Sequence, residues 1–493
     1  MSTPAPRHNP LLYEINARTW VRALSQDLGR PATLDDVPDT ELDGLLEAGF
    51  DLVYLLGVWQ TGTVGRAVSR SNPGWMQEFA RVLPDLSEDD ICGSCFSVTG
   101  YTVSTALGGD EALERFRARL GRRGLRLILD FVPNHTALDH PWVSEHPEFY
   151  VRGSEDDLAR EPQNYFRDDT GAVLAYGRDP NFAGWPDTLQ LDYGNPALQA
   201  AMRAELGEAV ARCDGVRCDM AMLVLPEVFE RTWGRVAGPF WPGAIAAIKG
   251  DRPGFLFIAE VYWDLQWQLQ QQGFDFTYDK RLYDRLVEGH VPQVRGHLFA
   301  DLDFQEHSAR FLESHDEPRA AVTFAPAKHR AAAIVTFLSP GLRFFHQGQL
   351  EGARTRQPVQ LCRRPAELVD EELREFYRSL LECLRNPGLH EGTWTLIDAR
   401  AAWDGNWTHE DFLVQGWRGD RGDRLVAIVN FADHPSQCYI SPPFSDLAGR
   451  RWILGDLLSD VTYSRDGDGL AEAGLYLDMP GWGYHVFEVV PSA

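Results

Sequence analysis

The sequence predicts an α/β protein: a (β/α)8 TIM barrel that carries a small inserted domain and a C-terminal all-β sandwich. Three observations predict this fold. Apolar strand-like runs alternate with amphipathic segments, two very long connections interrupt the alternation, and short closely spaced strands replace it near residue 385. Helical crossovers cover both faces of a parallel sheet, so its strands are mostly apolar. A doubly wound open sheet is the alternative, but it would require a glycine-rich turn after the first strand, and none is present.

The barrel strands and helices follow from apolar periodicity and from helix start and stop signals. Strands are expected at 11–15, 51–56, 125–129, 215–218, 255–259, 274–278, 310–312 and 342–345. Helices are expected at 34–48, 111–123, 196–212, 226–248, 279–287 and 328–337. Thr33 is expected to cap the first of these helices, and Gly49 to follow its end.

The domain division rests on the long connections and on the change of pattern. The connections at 57–105 and 136–190 both follow strand ends, where barrel enzymes build their sites. Short strands at 393–397, 412–417, 424–429, 438–440 and 484–490 indicate a separate β domain. We therefore expect barrel domain A at 1–135 and 191–384, inserted domain B at 136–190, and β-sandwich domain C at 385–493.

Composition narrows the classes of partner. The 493-residue chain has a formal net charge of −25, which disfavours nucleic acid because its phosphates would be repelled. The seven cysteines have no disulfide-scaffold or zinc spacing, although Cys92 and Cys95 form a C-x-x-C pair. Residues 1–10 lack the apolar core of a signal peptide, and no apolar run is long enough to cross a membrane. We expect a cytoplasmic protein with no membrane partner; the oligomeric state stays open.

Four carboxylates end strand-like runs: Asp130, Asp219, Glu260 and Asp316. A single aspartate at such a place is commonly a turn former or a helix cap. Several at the same barrel face suggest glycoside cleavage, in which one carboxylic acid protonates the leaving oxygen and another carboxylate attacks the sugar. Arg217 lies two residues before Asp219, on the same strand face, so its charge is expected to keep Asp219 ionised.

Five motifs in order give a specific resemblance. They are Asp130-Phe-Val-Pro-Asn-His135, Leu189-Gln-Leu-Asp192, Gly215-Val-Arg-Cys-Asp219, Ala259-Glu260-Val261 and His315-Asp316. Together they resemble the α-amylase family of retaining glycoside hydrolases and transglycosidases, glycoside hydrolase family 13, over nearly the whole chain. The resemblance implies the same three domains as the segmentation above.

The resemblance also implies roles for individual residues. It makes Asp219 the nucleophile, Glu260 the general acid/base, and Asp316 the third carboxylate, which binds ring hydroxyls. The substrate-binding residues it implies are Tyr101, as an aromatic platform under the sugar, and Arg217, His135 and His315. Asp130 and Asn134 are implied to order the base of the site.

The sequence departs from the family pattern at three places. Ser314 stands where members often have Asn, and Met222-Leu223 stand where many starch-degrading members have Lys-His. We therefore expect an acceptor side with fewer polar contacts. The family's usual calcium site uses the first-motif Asn, here Asn134, with oxygens of domain B, but its other ligands are not identifiable. The chemistry requires no cofactor, and a structural calcium stays open.

These observations predict a retaining α-glycosidase that acts on malto-oligosaccharides or related small α-glucosides through a covalent glycosyl-enzyme, with transglycosylation as a further outcome. A dedicated transglycosidase and a single-disaccharide α-glucosidase of the same family are alternatives. An alternative of another class is a catalytically silent member that binds carbohydrate.

Overall fold

The computed structural model describes residues 8–492. The prediction that residues 1–10 contain no signal peptide therefore concerns a segment that lies mostly outside the described residues. Among those that are described, no helix has the length and apolar character needed to span a bilayer.

The strands are numbered in chain order. They are β1 Leu11–Asn16, β2 Leu52–Leu56, β3 Trp59–Thr61, β4 Val98–Val103, β5 Arg126–Phe131, β6 His135–Ala137, β7 Tyr165–Arg167, β8 Val173–Ala175, β9 Thr188–Gln190, β10 Gly215–Cys218, β11 Leu256–Ala259, β12 Phe276–Tyr278, β13 Ser308–Arg310, β14 Leu342–His346, β15 Thr393–Ile397, β16 Ala399–Ala401, β17 Phe412–Arg418, β18 Arg424–Asn430, β19 Ser436–Ile440, β20 Arg451–Asp456, β21 Thr462–Asp466, β22 Leu475–Met479 and β23 Tyr484–Pro491.

The helices are numbered in the same way. They are α1 Ala17–Leu28, α2 Asp39–Glu47, α3 Thr63–Ser71, α4 Pro73–Val82, α5 Gly109–Arg122, α6 Trp142–Glu145, α7 Glu155–Arg160, α8 Pro196–Arg212, α9 Pro226–Trp233, α10 Trp241–Asp251, α11 Gln266–Gln271, α12 Lys280–Glu288, α13 Val291–Leu298, α14 Leu302–Glu306, α15 Ala320–Thr323, α16 Pro326–Phe337, α17 Glu371–Leu384, α18 Gly388–Glu391 and α19 Gly467–Glu472. Short 3-10 turns lie at Leu34–Asp36, Glu88–Asp90, Thr105–Leu107, Pro147–Phe149, Ala221–Val224 and Thr408–Asp411.

Eight parallel strands close into a barrel in the order β1-β14-β13-β12-β11-β10-β5-β2. The first strand completes the ring by pairing with the last (Leu11 beside Arg343) and with β2 (Leu12 beside Leu52). The predicted TIM barrel with a C-terminal all-β domain is confirmed. Its strands are almost entirely buried, because side chains fill the interior and helices cover the exterior.

Several elements differ from the expected bounds, as three examples show. The helix expected at 34–48 begins at Asp39, after Pro38, and Thr33 caps the short turn Leu34–Asp36 instead. The helix expected at 226–248 is two helices, since α9 ends at Gly234 in the left-handed conformation, φ 64°. Strand β13 begins at Ser308, two residues before the expected start.

Two excursions from the barrel build the wall of the site. The connection after β2 contains α3, α4 and the β3–β4 pair. The connection after β5 contains β6 to β9, of which β6 and β9 form an antiparallel pair that joins His135 to Gln190. Both start at the carboxyl ends of barrel strands, so their side chains reach the mouth of the barrel.

The C-terminal region is a sandwich of two antiparallel sheets. A six-stranded sheet has the order β15-β17-β18-β23-β20-β21, and a three-stranded sheet the order β16-β19-β22. Gln415 and Trp417 of β17 donate to the carbonyls of Val335 and Leu338 at 3.0 and 2.7 Å, which joins this sandwich to the barrel. The expected division between residues 384 and 385 falls at the end of α17, and the domain limits stay predictions.

Candidate active site

Arg217 joins three of the predicted site carboxylates beneath the mouth of the barrel. Its guanidinium donates to Asp219 Oδ1 at 2.8 Å, to Glu260 Oε2 at 2.7 Å and to Asp130 Oδ1 at 3.3 Å. Residues 217 and 219 share a face because side chains alternate along a strand. Since Arg217 is 1% exposed, its charge is compensated by these carboxylates rather than by water.

Glu260 has two further donors. The backbone N–H of Met220 donates to Oε2 at 2.7 Å, and the Tyr262 hydroxyl donates to Oε1 at 2.8 Å. Met220 adopts a positive φ of 42°, and this turns the chain directly after Asp219. The sequence interpretation did not identify Tyr262, although it lies two residues after Glu260.

Asp219 is buried, and burial raises the pKa of its carboxyl group to about 8, against the lowering effect of Arg217. Arg217 thus lowers the pKa of Asp219 in the expected direction, but burial has the larger effect. One guanidinium is shared among three carboxylates, so each receives only part of its compensation.

Asp316 is held ionised by a buried histidine. His315 Nε2 lies 3.0 Å from Asp316 Oδ2, and His315 Nδ1 contacts Glu14 Oε1. Although burial opposes both shifts, the flanking carboxylates raise the pKa of His315 well above its usual value, and His315 lowers the pKa of Asp316. Glu14, fully buried within β1, was missed because nothing in the sequence links it to His315 across 301 residues.

Asp130 and Ser314 support the base of the site. Asp130 Oδ1 accepts from the Tyr54 hydroxyl at 2.6 Å, and the Trp59 indole donates to its backbone carbonyl at 2.8 Å. The Ser314 hydroxyl accepts from the backbone N–H of Asp316 at 3.3 Å, so a short side chain supports Asp316 where many members of the family have Asn.

The cavity above these residues has a volume of about 270 Å³. It is lined by Asp219, Glu260 and Asp316 together with Trp75, Ser94, Phe96, His135, Trp185, Asp187, Thr188, Met220, Tyr262, Val359 and Gln360. A second cavity of about 630 Å³ shares Met220, Tyr262 and Asp316 with the first. Of the predicted site residues, Asp219, Glu260, Asp316 and His135 line this cavity, whereas the buried Arg217, His315, Asp130 and Asn134 do not. Burial lowers the pKa of His135 to about 3, which makes its ring neutral.

The prediction for Tyr101 is wrong. This residue lies on β4 with its ring stacked on Phe131 at 5.4 Å, and its hydroxyl accepts from the backbone N–H of Val132 at 2.8 Å. It is buried and does not line the cavity. Phe96, two residues before β4, lines it instead, with the Arg217 guanidinium 5.2 Å from its ring centre.

Met222 and Leu223 also lie away from the cavities. Both are buried, at 0% and 3% exposure, in the turn Ala221–Val224. The expected effect of these residues on the acceptor side is therefore indirect at most. Met220 lines both cavities and is the residue of this segment that a sugar would contact.

The residues around Asn134 do not fit a calcium ion. The Gln190 side-chain amide donates to Asn134 Oδ1 at 3.0 Å, to the Asn134 carbonyl at 3.0 Å and to the Leu191 carbonyl at 3.1 Å. Three oxygens that could bind a cation thus converge on an amide nitrogen. No group of three or more His, Cys, Asp or Glu within residues 8–492 is arranged to hold a metal ion.

Comparisons with known proteins show which sequences this chain resembles. A model of the alpha-amylase catalytic domain matches residues 96–230. Alpha-amylase MalA from Haloarcula japonica is 23% identical over 450 residues, and a trehalose synthase from Pimelobacter sp. is 31% identical over 180 residues. The first alignment covers 88% of this chain and 57% of MalA, the second 32% of this chain and 29% of the synthase. The chain therefore spans little more than half of MalA.

The fold is also found among solved structures. The maltogenic alpha-amylase AmyB from Thermotoga neapolitana superposes with a TM-score of 0.68 at 19% identity. The superposition covers 98% of this chain and 99% of AmyB. At this identity the similarity shows a shared fold.

Proposed function

Since the chain belongs to the α-amylase family of glycoside hydrolases and transglycosidases, we propose that it cleaves α-glucosidic bonds of malto-oligosaccharides or related small α-glucosides. The anomeric configuration is retained through a covalent glycosyl-enzyme. One observation carries the proposal: Arg217 joins Asp219 and Glu260 at the floor of a cavity that Asp316 also lines. The names of the similar proteins, an alpha-amylase and a trehalose synthase, support an α-glucoside substrate.

In the first step, a carboxylate oxygen of Asp219 bonds to the anomeric carbon as the bond to the leaving oxygen breaks. Glu260 gives its proton to that oxygen, and ionised Asp316 accepts hydroxyl hydrogens of the distorted ring. In the second step, Glu260 takes a proton from water or from a sugar hydroxyl, and that oxygen displaces Asp219.

The contacts of Arg217 suit this cycle. Burial raises the pKa of Asp219, and the Arg217 guanidinium, which donates to the carboxylate, opposes that rise. Catalysis requires a proton on Glu260 and the negative charge on Asp219. Because Arg217 donates to both carboxylates, it stabilises whichever of them is ionised.

Transfer to a second sugar is a further candidate outcome, favoured by the larger cavity. Trp263, Phe182 and Tyr262 line that cavity, and aromatic rings stack on sugar faces. An acceptor sugar held there would compete with water through proximity to the glycosyl-enzyme. A dedicated transglycosidase would give transfer products at every sugar concentration, whereas a hydrolase would give them only at high concentration.

The test is a product assay with maltoheptaose, sucrose and trehalose as separate substrates. Proton nuclear magnetic resonance during the first turnovers identifies the anomer released from each. We expect the α-anomer first, with slow conversion to the β-anomer in solution. Release of the β-anomer would contradict the retaining mechanism, and turnover of none of these sugars would favour the catalytically silent carbohydrate-binding member.

A further inference from the structure

Asp187 contributes a fourth carboxylate to the cavity that holds the predicted catalytic residues. It directly precedes β9, whose pairing with β6 keeps it on the same wall as His135. The Ser97 hydroxyl donates to the Asp187 carbonyl at 2.7 Å, and the Thr188 N–H donates to the Trp185 carbonyl at 3.1 Å. The backbone at Asp187 is therefore held in position from two sides.

The side chain of Asp187 differs from those of Asp219, Glu260 and Asp316 because no described Lys, Arg or His lies beside it as a cationic partner. Asp187 is 3% exposed, and within residues 8–492 its Oδ2 atom has no hydrogen-bond donor and its carboxylate no ion pair. Burial raises the pKa of this carboxyl group to about 6. An unpaired buried acceptor costs free energy that a bound donor would recover.

The rest of the lining identifies the kind of donor. The aromatic rings of Trp75, Phe96 and Trp185 offer faces on which a sugar ring stacks. Ser94 and Gln360 add neutral polar groups. A volume of about 270 Å³ lies below the usual range for small-molecule sites, about 300–1,000 Å³, so this cavity suits one sugar ring rather than a chain.

The position of the second cavity indicates which end of the substrate lies at Asp187. It adjoins the first through Met220, Tyr262 and Asp316, and Tyr262 is the residue that donates to Glu260. The leaving group therefore extends into the second cavity, next to the proposed acid. Asp187 lines only the first cavity, which holds the glycone.

We propose that Asp187 is a specificity residue that accepts hydrogen bonds from hydroxyl groups of a terminal, unsubstituted glucosyl ring, so that the enzyme acts at chain ends. This inference rests on the proposed function, since it concerns the sugar transferred to Asp219. A hydroxyl blocked by another sugar could not donate to Asp187, and a cavity of about 270 Å³ has little room for a second ring.

A binding cycle tests the contact without turnover. Calorimetry measures binding of methyl α-glucoside and of its 3-, 4- and 6-deoxy forms to the Asp219→Asn protein, and then to the protein that also carries Asp187→Asn. Because the deoxygenated ring would lose a hydrogen bond to a charged group, we expect one deoxygenation to weaken binding by about 10-fold or more in the first protein. The same deoxygenation should cost less than about 3-fold in the second.

The matched control is Glu155→Gln, which removes an exposed carboxylate of the same inserted segment, paired with Arg167. Added to Asp219→Asn, it should leave the loss on deoxygenation unchanged. Equal losses with and without Asp187, or no measurable binding of any glucoside, would each overturn the proposal.

A second measurement uses the unaltered protein and needs no variant to fold. An aryl maltoheptaoside with a free terminal ring is compared with the same compound blocked at O4 and O6 of that ring. We expect kcat/KM to fall by about 100-fold or more on blocking, because the blocked ring neither fits nor donates. Equal cleavage of the two would overturn action at chain ends while upholding glycosidase activity, whereas cleavage of neither would count against the proposed function itself.

Discussion

The two walls of the reaction cavity handle charge in opposite ways. On the barrel wall, Arg217 donates to three carboxylates, and His315 lies between Glu14 and Asp316. On the wall formed by the insertion after β5, Asp187 Oδ2 has no hydrogen-bond donor within residues 8–492, and an amide of Gln190 lies where three oxygens converge.

This difference separates two tasks. On the barrel wall, the strand ends bring opposite charges into mutual contact, and these contacts fix the geometry of the carboxylates. On the inserted wall, Asp187 Oδ2 is an acceptor that a hydroxyl group of the substrate could bond. Such an acceptor favours substrates that carry a donor at that position. The predictions below test the barrel wall first, where the expected effects are largest, and then the inserted wall.

Asp219→Asn should lower kcat on an aryl α-glucoside by about 1000-fold or more, because an amide cannot form the glycosyl-enzyme. Steady-state kinetics measures the loss, and circular dichroism checks that the fold is retained. Glu155→Gln, with its exposed carboxylate far from the chemistry, should keep full activity. Unchanged turnover by the Asp219 variant would remove this residue from the mechanism.

The loss of activity caused by Glu260→Gln should depend on the leaving group of the substrate. A sugar leaving group needs a proton and fluoride does not, so the loss on maltotriose should exceed the loss on α-glucosyl fluoride by about 100-fold. The comparison is made from kcat/KM values for the two substrates at one pH. Equal losses would mean that Glu260 does not act as the acid.

Glu14→Gln should move the acidic limb of the pH profile to higher pH. Without the Glu14 charge, the pKa of His315 falls and so the pKa of Asp316 rises, with Asp316 becoming protonated at a higher pH. We expect kcat/KM to fall by about 10-fold near pH 5 and by less at neutral pH.

The control for Glu14→Gln is Glu313→Gln, which removes another buried carboxylate, paired with Arg319 and His346. It should cost stability without shifting the acidic limb. If both variants move the limb equally, the shift reports general loss of structure and not the Glu14–His315–Asp316 contact.

Asp187→Asn should stabilise the protein increasingly as pH rises. The pKa of Asp187 is raised in the folded state, so its contribution favours folding below about pH 4 and is lost as pH rises through about 6. The variant avoids this loss, and we expect a gain over wild type of about 1–3 kcal/mol near pH 8 that vanishes near pH 4. Melting temperatures measured across this range check it; a difference independent of pH would mean that Asp187 has a partner.

Gln190→Glu should make stability depend on calcium. A carboxylate facing the oxygens of Asn134 and Leu191 would repel them, and millimolar calcium would bridge them. We expect the melting temperature to fall by about 4–8 °C in chelator and to recover with calcium. The control is Gln199→Glu, which alters another buried amide that donates to backbone carbonyls. Its lower melting temperature should not recover when calcium is added.

Wild type should melt at the same temperature with calcium and with chelator, because the Gln190 amide already satisfies the oxygens that a cation would bind. A lower melting temperature in chelator would contradict the conclusion that the Gln190 amide, and not a cation, contacts these oxygens.

Much of the barrel could be predicted from the sequence because its signals are local. Apolar runs bounded by glycine, proline and capping residues mark β2, β10 and α8, and the structure has them at or near the expected residues. Asp219 and Glu260 could be identified in the same way, since each directly follows a strand whose end must lie at the mouth of the barrel.

The structure of the long connections was harder to predict from the sequence, because their periodicity is weak and tertiary contacts decide which way each side chain faces. Phe96 and Tyr101 are five residues apart in one such connection, and either could have supplied the aromatic surface. Packing against Phe131 and a hydrogen bond to Val132 bury Tyr101 and leave Phe96 at the cavity.

The sequence by itself determined the order of strands and helices, the parallel barrel and the residues at its strand ends, since these depend on local apolar patterns and on chain connectivity. Only the tertiary structure decided the electrostatics of the site. The contact of Glu14 with His315, the sharing of Arg217 and the isolation of Asp187 each depend on how residues distant in sequence approach in a buried, low-dielectric space. Burial and pairing act there in opposition, and their balance depends on distances that the order of residues does not specify.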